Sequence, residues 1–154
     1  MTAGYNPKIR PTANETTKAS TTASGETRVL QPAYALMAHD TAAPSLAIGD
    51  VSVNEGNGVT SAIFTVTLSA ANTTQTVTVN FASADGSAKV ATRDYAAVSG
   101  TLTFAPGQTS QTIVVFVTGD KKKEKDETFF VNLSGPSNAT IARGQGRGTI
   151  INDD

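Results

Sequence analysis

Along residues 76–82, Thr-Val-Thr-Val-Asn-Phe-Ala, polar and apolar side chains alternate through Phe81. A period of two sends successive side chains to opposite faces, so Val77, Val79 and Phe81 enter a core while Thr76, Thr78 and Asn80 face water. The same grammar returns along the chain. Ala62–Leu68 alternates on Phe64, Val66 and Leu68, and Gly100–Phe104 on Leu102 and Phe104. Ser110–Val117 does so on Ile113, Val115 and Val117, and Glu127–Leu133 on Phe129, Val131 and Leu133. Leu46–Val53 reads as a first strand, Gly146–Asn152 as a last one, and Tyr95–Val98 as a short edge piece. Turn chemistry separates them: Asn54-Glu55-Gly56-Asn57-Gly58, Asp85-Gly86, Ala105-Pro106-Gly107-Gln108, the charged stretch Gly119–Asp126, and Gly135-Pro136-Ser137-Asn138. No segment carries a helical period. The expectation is an all-β fold, a seven-stranded antiparallel sandwich of immunoglobulin-like architecture. The chain has neither Trp nor Cys, which excludes an antibody-type domain built on a disulfide and a core tryptophan.

Residues 1–45 follow another grammar. Thr12, Thr16, Thr17, Thr21 and Thr22 lie among Ala, Ser, Lys and Glu with no apolar period. Such a segment buries too little surface to offset its ordering entropy. Residues 1–45 are therefore expected to form an extended, low-complexity arm or linker, and residues 46–154 the sandwich. One apolar patch interrupts the arm. Val29, Leu30, Tyr34, Leu36 and Met37 are the expected contacts to a protein scaffold or a neighbouring subunit.

Composition removes several classes of function. Twelve Lys and Arg against thirteen Asp and Glu leave a formal charge of −1, which supplies no general attraction to nucleic acid. No apolar run approaches the roughly 18 residues that insert in a bilayer. Met1–Arg10 lacks the apolar core of a secretory signal. Without Cys there is no thiolate metal site and no Cys nucleophile. His39, the only histidine, lies in the arm, away from any recognisable nucleophile, so no catalytic constellation forms. Gly144-Gln-Gly146-Arg-Gly148 runs into a strand rather than a helix and is not a dinucleotide fingerprint. The chain is expected not to be an enzyme.

Several runs carry a more specific likeness. They are Val51-Ser-Val-Asn-Glu55-Gly-Asn-Gly, Val77-Thr-Val-Asn-Phe-Ala-Ser-Ala-Asp85-Gly86, Arg93-Asp94-Tyr95, Ser99-Gly100-Thr-Leu-Thr-Phe104-Ala-Pro-Gly107, Asp126-Glu127-Thr-Phe129 and Gly148-Thr-Ile-Ile-Asn-Asp153-Asp154. In this order and spacing, residues 46–154 resemble the Calx-beta family. The resemblance implies an immunoglobulin-like sandwich of the kind found in sodium/calcium exchangers, integrin subunits and large surface proteins. In exchanger-type members the loops at one end bind calcium through clustered carboxylates.

The family pattern places candidate calcium ligands at Glu55, Asp85, Asp120, Glu124, Glu127, Asp153 and Asp154. Calcium takes six to eight hard oxygens, so acids from several loops must converge. The sequence departs from the calcium-binding pattern at three places. Lys121-Lys122-Lys123 stands where acids are usual, Gly119 replaces another acid, and Asn152 replaces the first residue of a terminal acidic triplet. One reading is a single calcium ion, bound more weakly than in exchanger regulators. The other is a set of solvated loop acids, with the Lys run supplying the counter-charge through salt bridges.

Two functions follow as expectations. The first is a structural or assembly module, a sandwich displayed on a virion or surface filament as a decoration protein and anchored by its arm. The alternative is a calcium-binding adhesion or regulatory domain at an extracellular or cell surface.

Overall fold

The computed structural model describes residues 42–154. They form two stacked sheets from nine strands: β1 (Ser45–Ile48), β2 (Val51–Asn54), β3 (Val59–Leu68), β4 (Val77–Asp85), β5 (Ser99–Phe104), β6 (Ser110–Thr118), β7 (Glu127–Ser137), β8 (Thr140–Arg143) and β9 (Gln145–Ile151). One sheet has the order β6-β3-β1-β8 and the other β2-β9-β7-β4-β5. No helix occurs among the described residues.

The sandwich is as the alternation predicts, with two additions. The segment expected as one strand over Leu46–Val53 is two strands in different sheets. The inward parity changes across the break: Leu46 and Ile48 are buried on β1, whereas Val51 and Val53 pack against the core from β2. Gly49-Asp50 carries the crossing, held by Gly49 N–H to the Thr65 carbonyl at 3.0 Å. Asp50 Oδ1 accepts from Arg143 Nη2 at 2.7 Å and from the Arg147 N–H at 2.8 Å. Those donors hold the Asp50 carboxyl below its ordinary range, the Arg143 bond being the larger cause. The second addition is β8, which precedes β9 as β1 precedes β2. The two stretches run side by side and change sheets together, so β1 pairs β8 and β2 pairs β9 in parallel, while the other pairs are antiparallel.

The turn signal at Gly135-Pro136 does not end β7. Thr78 faces Ser137 and Asn80 faces Ser134, so two residues of β7 stand opposite one of β4. Gly135 takes a φ of 55°, a left-handed value that suits a residue without Cβ at a bulge. Pro136 is tolerated there because a bulge interrupts the ladder. The chain turns only at Asn138.

Between the sheets lies one core. Phe64, Val66, Val77, Val79, Phe104, Val115, Val117, Phe129 and Val131 are almost wholly removed from water. Phe129 is its centre, meeting the edge of Phe64 at 5.8 Å between ring centroids and stacking on Tyr95 at 4.5 Å. Phe81, expected on the same face as Val77 and Val79, is only partly buried against this core. Tyr95 lies outside the strands, bridged to Val117 of β6. Its ring fixes the β4–β5 loop to the core and thereby positions the site described next.

Candidate functional site: an acidic cavity at one end of the sandwich

Strands β2, β4, β6 and β9 all finish at the same end, where β7 begins. Three loops meet there: 55–58 after β2, 86–98 after β4 and 119–126 after β6. Backbone bonds knit them together. Glu55 N–H donates to the Ile151 carbonyl at 3.0 Å, Gly119 N–H to the Gly58 carbonyl at 2.7 Å, and Thr118 N–H to the Asp94 carbonyl at 3.0 Å. Gly119 has to be glycine for this approach, because a Cβ would collide with the backbone carbonyls of Glu55 and Gly56. The residue read from sequence as a lost acid is thus the contact point of two loops.

The loops border an open cavity of ≈ 540 Å³. Four of the seven candidate ligands line it: Glu55, Asp120, Glu124 and Glu127. The fold adds a fifth acid, Asp94, which sequence reading placed in a motif without assigning it a role. Its signal was its position directly before Tyr95, the residue that anchors the loop. Lys89, Arg93 and Lys122 also line the cavity.

The other three candidates are placed differently. Asp85 does not line the cavity. Its Oδ1 accepts from the Tyr95 hydroxyl at 2.7 Å and from the Val90 N–H at 3.0 Å, which holds its carboxyl below the ordinary range, the tyrosine bond being the larger cause. Asp153 and Asp154 follow β9 as exposed residues and do not line the cavity either. Asn152 is the terminal residue that enters the network. Its Nδ2 donates to Glu55 Oε1 at 2.7 Å and to the Lys122 carbonyl at 3.2 Å, and its Oδ1 accepts from the Glu124 N–H at 3.2 Å. One amide therefore ties the β2 loop to the β6–β7 loop.

Electrostatics show the acids crowding one another. Burial first, then the negative charges of Asp94, Glu124 and Glu55, push the Glu127 carboxyl above its ordinary value. Relief comes from the protein's own donors. Lys122 Nζ lies 3.0 Å from Glu124 Oε2, and its ammonium is held above its ordinary range mainly by that contact, with Asp120 and Asp94 adding to it. Asp120 Oδ1 accepts from the Lys122 N–H at 2.6 Å. Asp94 Oδ2 accepts from the Lys89 N–H at 2.8 Å and from Thr92 Oγ1 at 2.7 Å.

Calcium fits this cavity by donor chemistry, since its five carboxylates supply the hard oxygens that the ion takes. The side chains are near enough to repel Glu127, yet among the described residues no three acids stand close enough to share one ion. In the arrangement seen, Asp94, Asp120 and Glu124 are turned towards lysine, threonine and backbone donors, and Glu55 towards the Asn152 amide.

Comparisons with known proteins agree with the fold. The Calx-beta domain profile matches residues 40–154. Sodium/calcium exchanger 1 of Canis lupus familiaris is 43% identical over 61 residues, which are 40% of this chain and 6% of the exchanger; that of Bos taurus matches equally. The chain thus aligns to only a small part of these relatives. Among solved structures, the apo-form Calx CBD1 domain superposes with a TM-score of 0.63 at 24% identity, over 73% of this chain and 100% of that one. The calcium-binding domain CBD12 of CALX1.1 superposes with a TM-score of 0.61 at 26% identity, over 71% of this chain and 46% of that one.

Proposed function

The chain belongs to the Calx-beta domain family, and from that premise we propose that it is a calcium-responsive binding module whose ion enters the acidic cavity. The observation that carries this reading is the convergence of Glu55, Asp94, Asp120, Glu124 and Glu127 from three loops and one strand start on a single cavity. Like charges gathered this way repel, and a divalent cation is the economical partner for them. When bound, calcium supplies two positive charges and a preference for many oxygen ligands. The chain supplies the rest. Glu55 and Glu124 provide carboxylates from separate loops, Glu127 provides one from the start of β7, and Gly119 keeps the two loops in contact. Binding would therefore stiffen one end of the sandwich, a regulatory or adhesive role that needs no catalytic group.

Such relatives as the exchanger and the calcium-binding domain CBD12 favour this reading over the assembly one. The proposed anchor of a particle-borne module, Val29, Leu30, Tyr34, Leu36 and Met37, lies outside the described residues.

Calorimetric titration of calcium into the full chain tests the proposal. Saturable binding that is lost in the double substitution Glu55→Gln, Glu124→Gln is expected. A chain that takes up no calcium, or a double variant that binds as well as the parent, would refute it.

A further inference from the structure

A glycine directly after an amide or acid occurs twice at this end of the sandwich, as Asn57-Gly58 and as Asp85-Gly86. In both, the glycine nitrogen can reach the side-chain carbonyl carbon of the residue before it, because glycine has no Cβ to crowd that nitrogen. The fold treats the two differently. At Asp85-Gly86 both partners are held. Asp85 Oδ1 accepts from the Tyr95 hydroxyl and the Val90 N–H, and the Gly86 N–H donates to the Ala88 carbonyl at 3.1 Å. At Asn57-Gly58 neither restraint exists. Both residues are exposed in the 55–58 loop, and neither the Asn57 amide nor the Gly58 N–H makes a hydrogen bond among the described residues. A Cβ built on Gly58 would meet nothing within 4 Å, so the space beside the attacking nitrogen is open.

We propose that Asn57-Gly58 is a site of spontaneous deamidation in the folded domain, and that its isoaspartate product loosens the contact between the 55–58 and 119–126 loops. Hydroxide removes the Gly58 amide proton, the nitrogen attacks Asn57 Cγ, and ammonia leaves as a cyclic imide closes. Water then opens the imide. Opening at Cγ gives aspartate. Opening at the main-chain carbonyl of residue 57 gives isoaspartate, whose main chain runs through Cβ and is longer by that carbon. Each route exchanges the amide NH2 for OH, and the new acid ionises, so the loop gains a negative charge. The lengthening falls directly before Gly58, whose carbonyl accepts the Gly119 N–H at 2.7 Å. Gly119 lies so close to the Glu55 and Gly56 carbonyls that a Cβ there would collide with them. So tight a contact does not absorb a longer loop. Isoaspartate therefore parts the loops, whereas aspartate, which keeps the original main chain, leaves them joined. The reaction needs only water and time, and it is independent of the calcium reading.

The full chain is incubated at mildly alkaline pH beside Gly58→Ala, and residue 57 is followed by peptide mass spectrometry. Gly58 has no left-handed φ and open space around it, so the alanine variant is expected to fold. Asn57 of the parent is expected to be replaced by the acid, faster as pH rises, with isoaspartate as the main product. Gly58→Ala should convert several-fold more slowly, because its Cβ crowds the nitrogen. A folded chain that keeps its Asn57 amide over the time in which the urea-unfolded chain loses it would overturn the proposal, as would equal rates in the parent and Gly58→Ala. The isoaspartate form, isolated by chromatography, is then compared with freshly purified Asn57→Asp for hydrogen exchange at the Gly119 N–H. Faster exchange in the isoaspartate form alone is expected. Exchange that matches between the two, whether slow or fast, would overturn the loosening of the loops.

Discussion

The Tyr95 hydroxyl donates to Asp85 Oδ1 across 2.7 Å, while the Tyr95 ring stacks on Phe129 at the centre of the core. One side chain thus joins the acidic end of the sandwich to its hydrophobic interior. It also explains why Asp85 is a scaffold residue: both of its recorded bonds, to Tyr95 and to the Val90 N–H, fold the β4–β5 loop that carries Asp94.

This pair gives the domain a pH signature. Burial, and then the bond to Asp85, push the Tyr95 phenol from 10.0 up to about 12. The folded chain holds that proton more tightly than the unfolded chain. The contribution is complete below about pH 10 and is lost as pH rises towards 12. Asp85 has the opposite sign. Its folded value is lowered, so its contribution is complete above the ordinary carboxylate range and is lost as pH falls through the folded value. Tyr95→Phe is expected to move the acid unfolding midpoint upward and to lessen the alkaline loss of stability. Melting temperature against pH checks both limbs.

Phe129→Ala should be the most damaging single truncation among the aromatic positions. The ring is fully buried and contacts both Phe64 and Tyr95. Large-to-small changes of this kind cost about 3–5 kcal/mol. Urea denaturation should show a lower midpoint of that size with an unchanged slope. Because Tyr95 loses its stacking partner, the β4–β5 loop should also exchange its amide protons faster.

Much of the fold was legible because half-buried strands impose a period of two on their side chains. Phe64-Val66-Leu68, Ile113-Val115-Val117 and Phe129-Val131-Leu133 all point inward as that period requires. The crossing at Gly49-Asp50 was present in the sequence as a slip of parity, from Leu46 and Ile48 to Val51 and Val53, but glycine in a short apolar run reads equally well as strand interior. Strand β8 left almost no local signal. Thr140–Arg143 is four residues long, and β1, with which it pairs in parallel, lies a hundred residues earlier in the chain, so no short-range pattern encodes it. The site divides along the same line. Glu55, Asp120, Glu124 and Glu127 stand at loop ends whose convergence follows from topology. Asp94 and Asn152 are placed by particular hydrogen bonds, to Lys89 and Thr92 in one case and to Glu55, Lys122 and Glu124 in the other, and side-chain bonds of that kind are set by the folded backbone.

Asn152 offers a test in which two readouts move apart. Its amide donates to Glu55 and to the Lys122 carbonyl. An aspartate there cannot donate, and it brings a further negative charge against Glu55. Asn152→Asp is therefore expected to lower the melting temperature in chelator and to tighten calcium binding. Each added ligand charge raises calcium affinity in sites of this type. Parallel melting and calorimetry would show the two effects, and a variant that loses stability without gaining affinity would mark Asn152 as a purely structural tie.

The most direct test of the calcium site is the melting temperature of the chain in millimolar calcium and again in excess chelator. Calcium is expected to raise it, since a ligand at a hundredfold its dissociation constant stabilises the folded state by about 2.7 kcal/mol. Glu127→Gln should melt higher than the parent in chelator, because it removes the carboxylate that burial and its acidic neighbours disfavour, and should lose most of the calcium response. Identical melting in calcium and in chelator would contradict the assignment, leaving Lys122, Asn152 and the loop hydrogen bonds as the only partners of these acids.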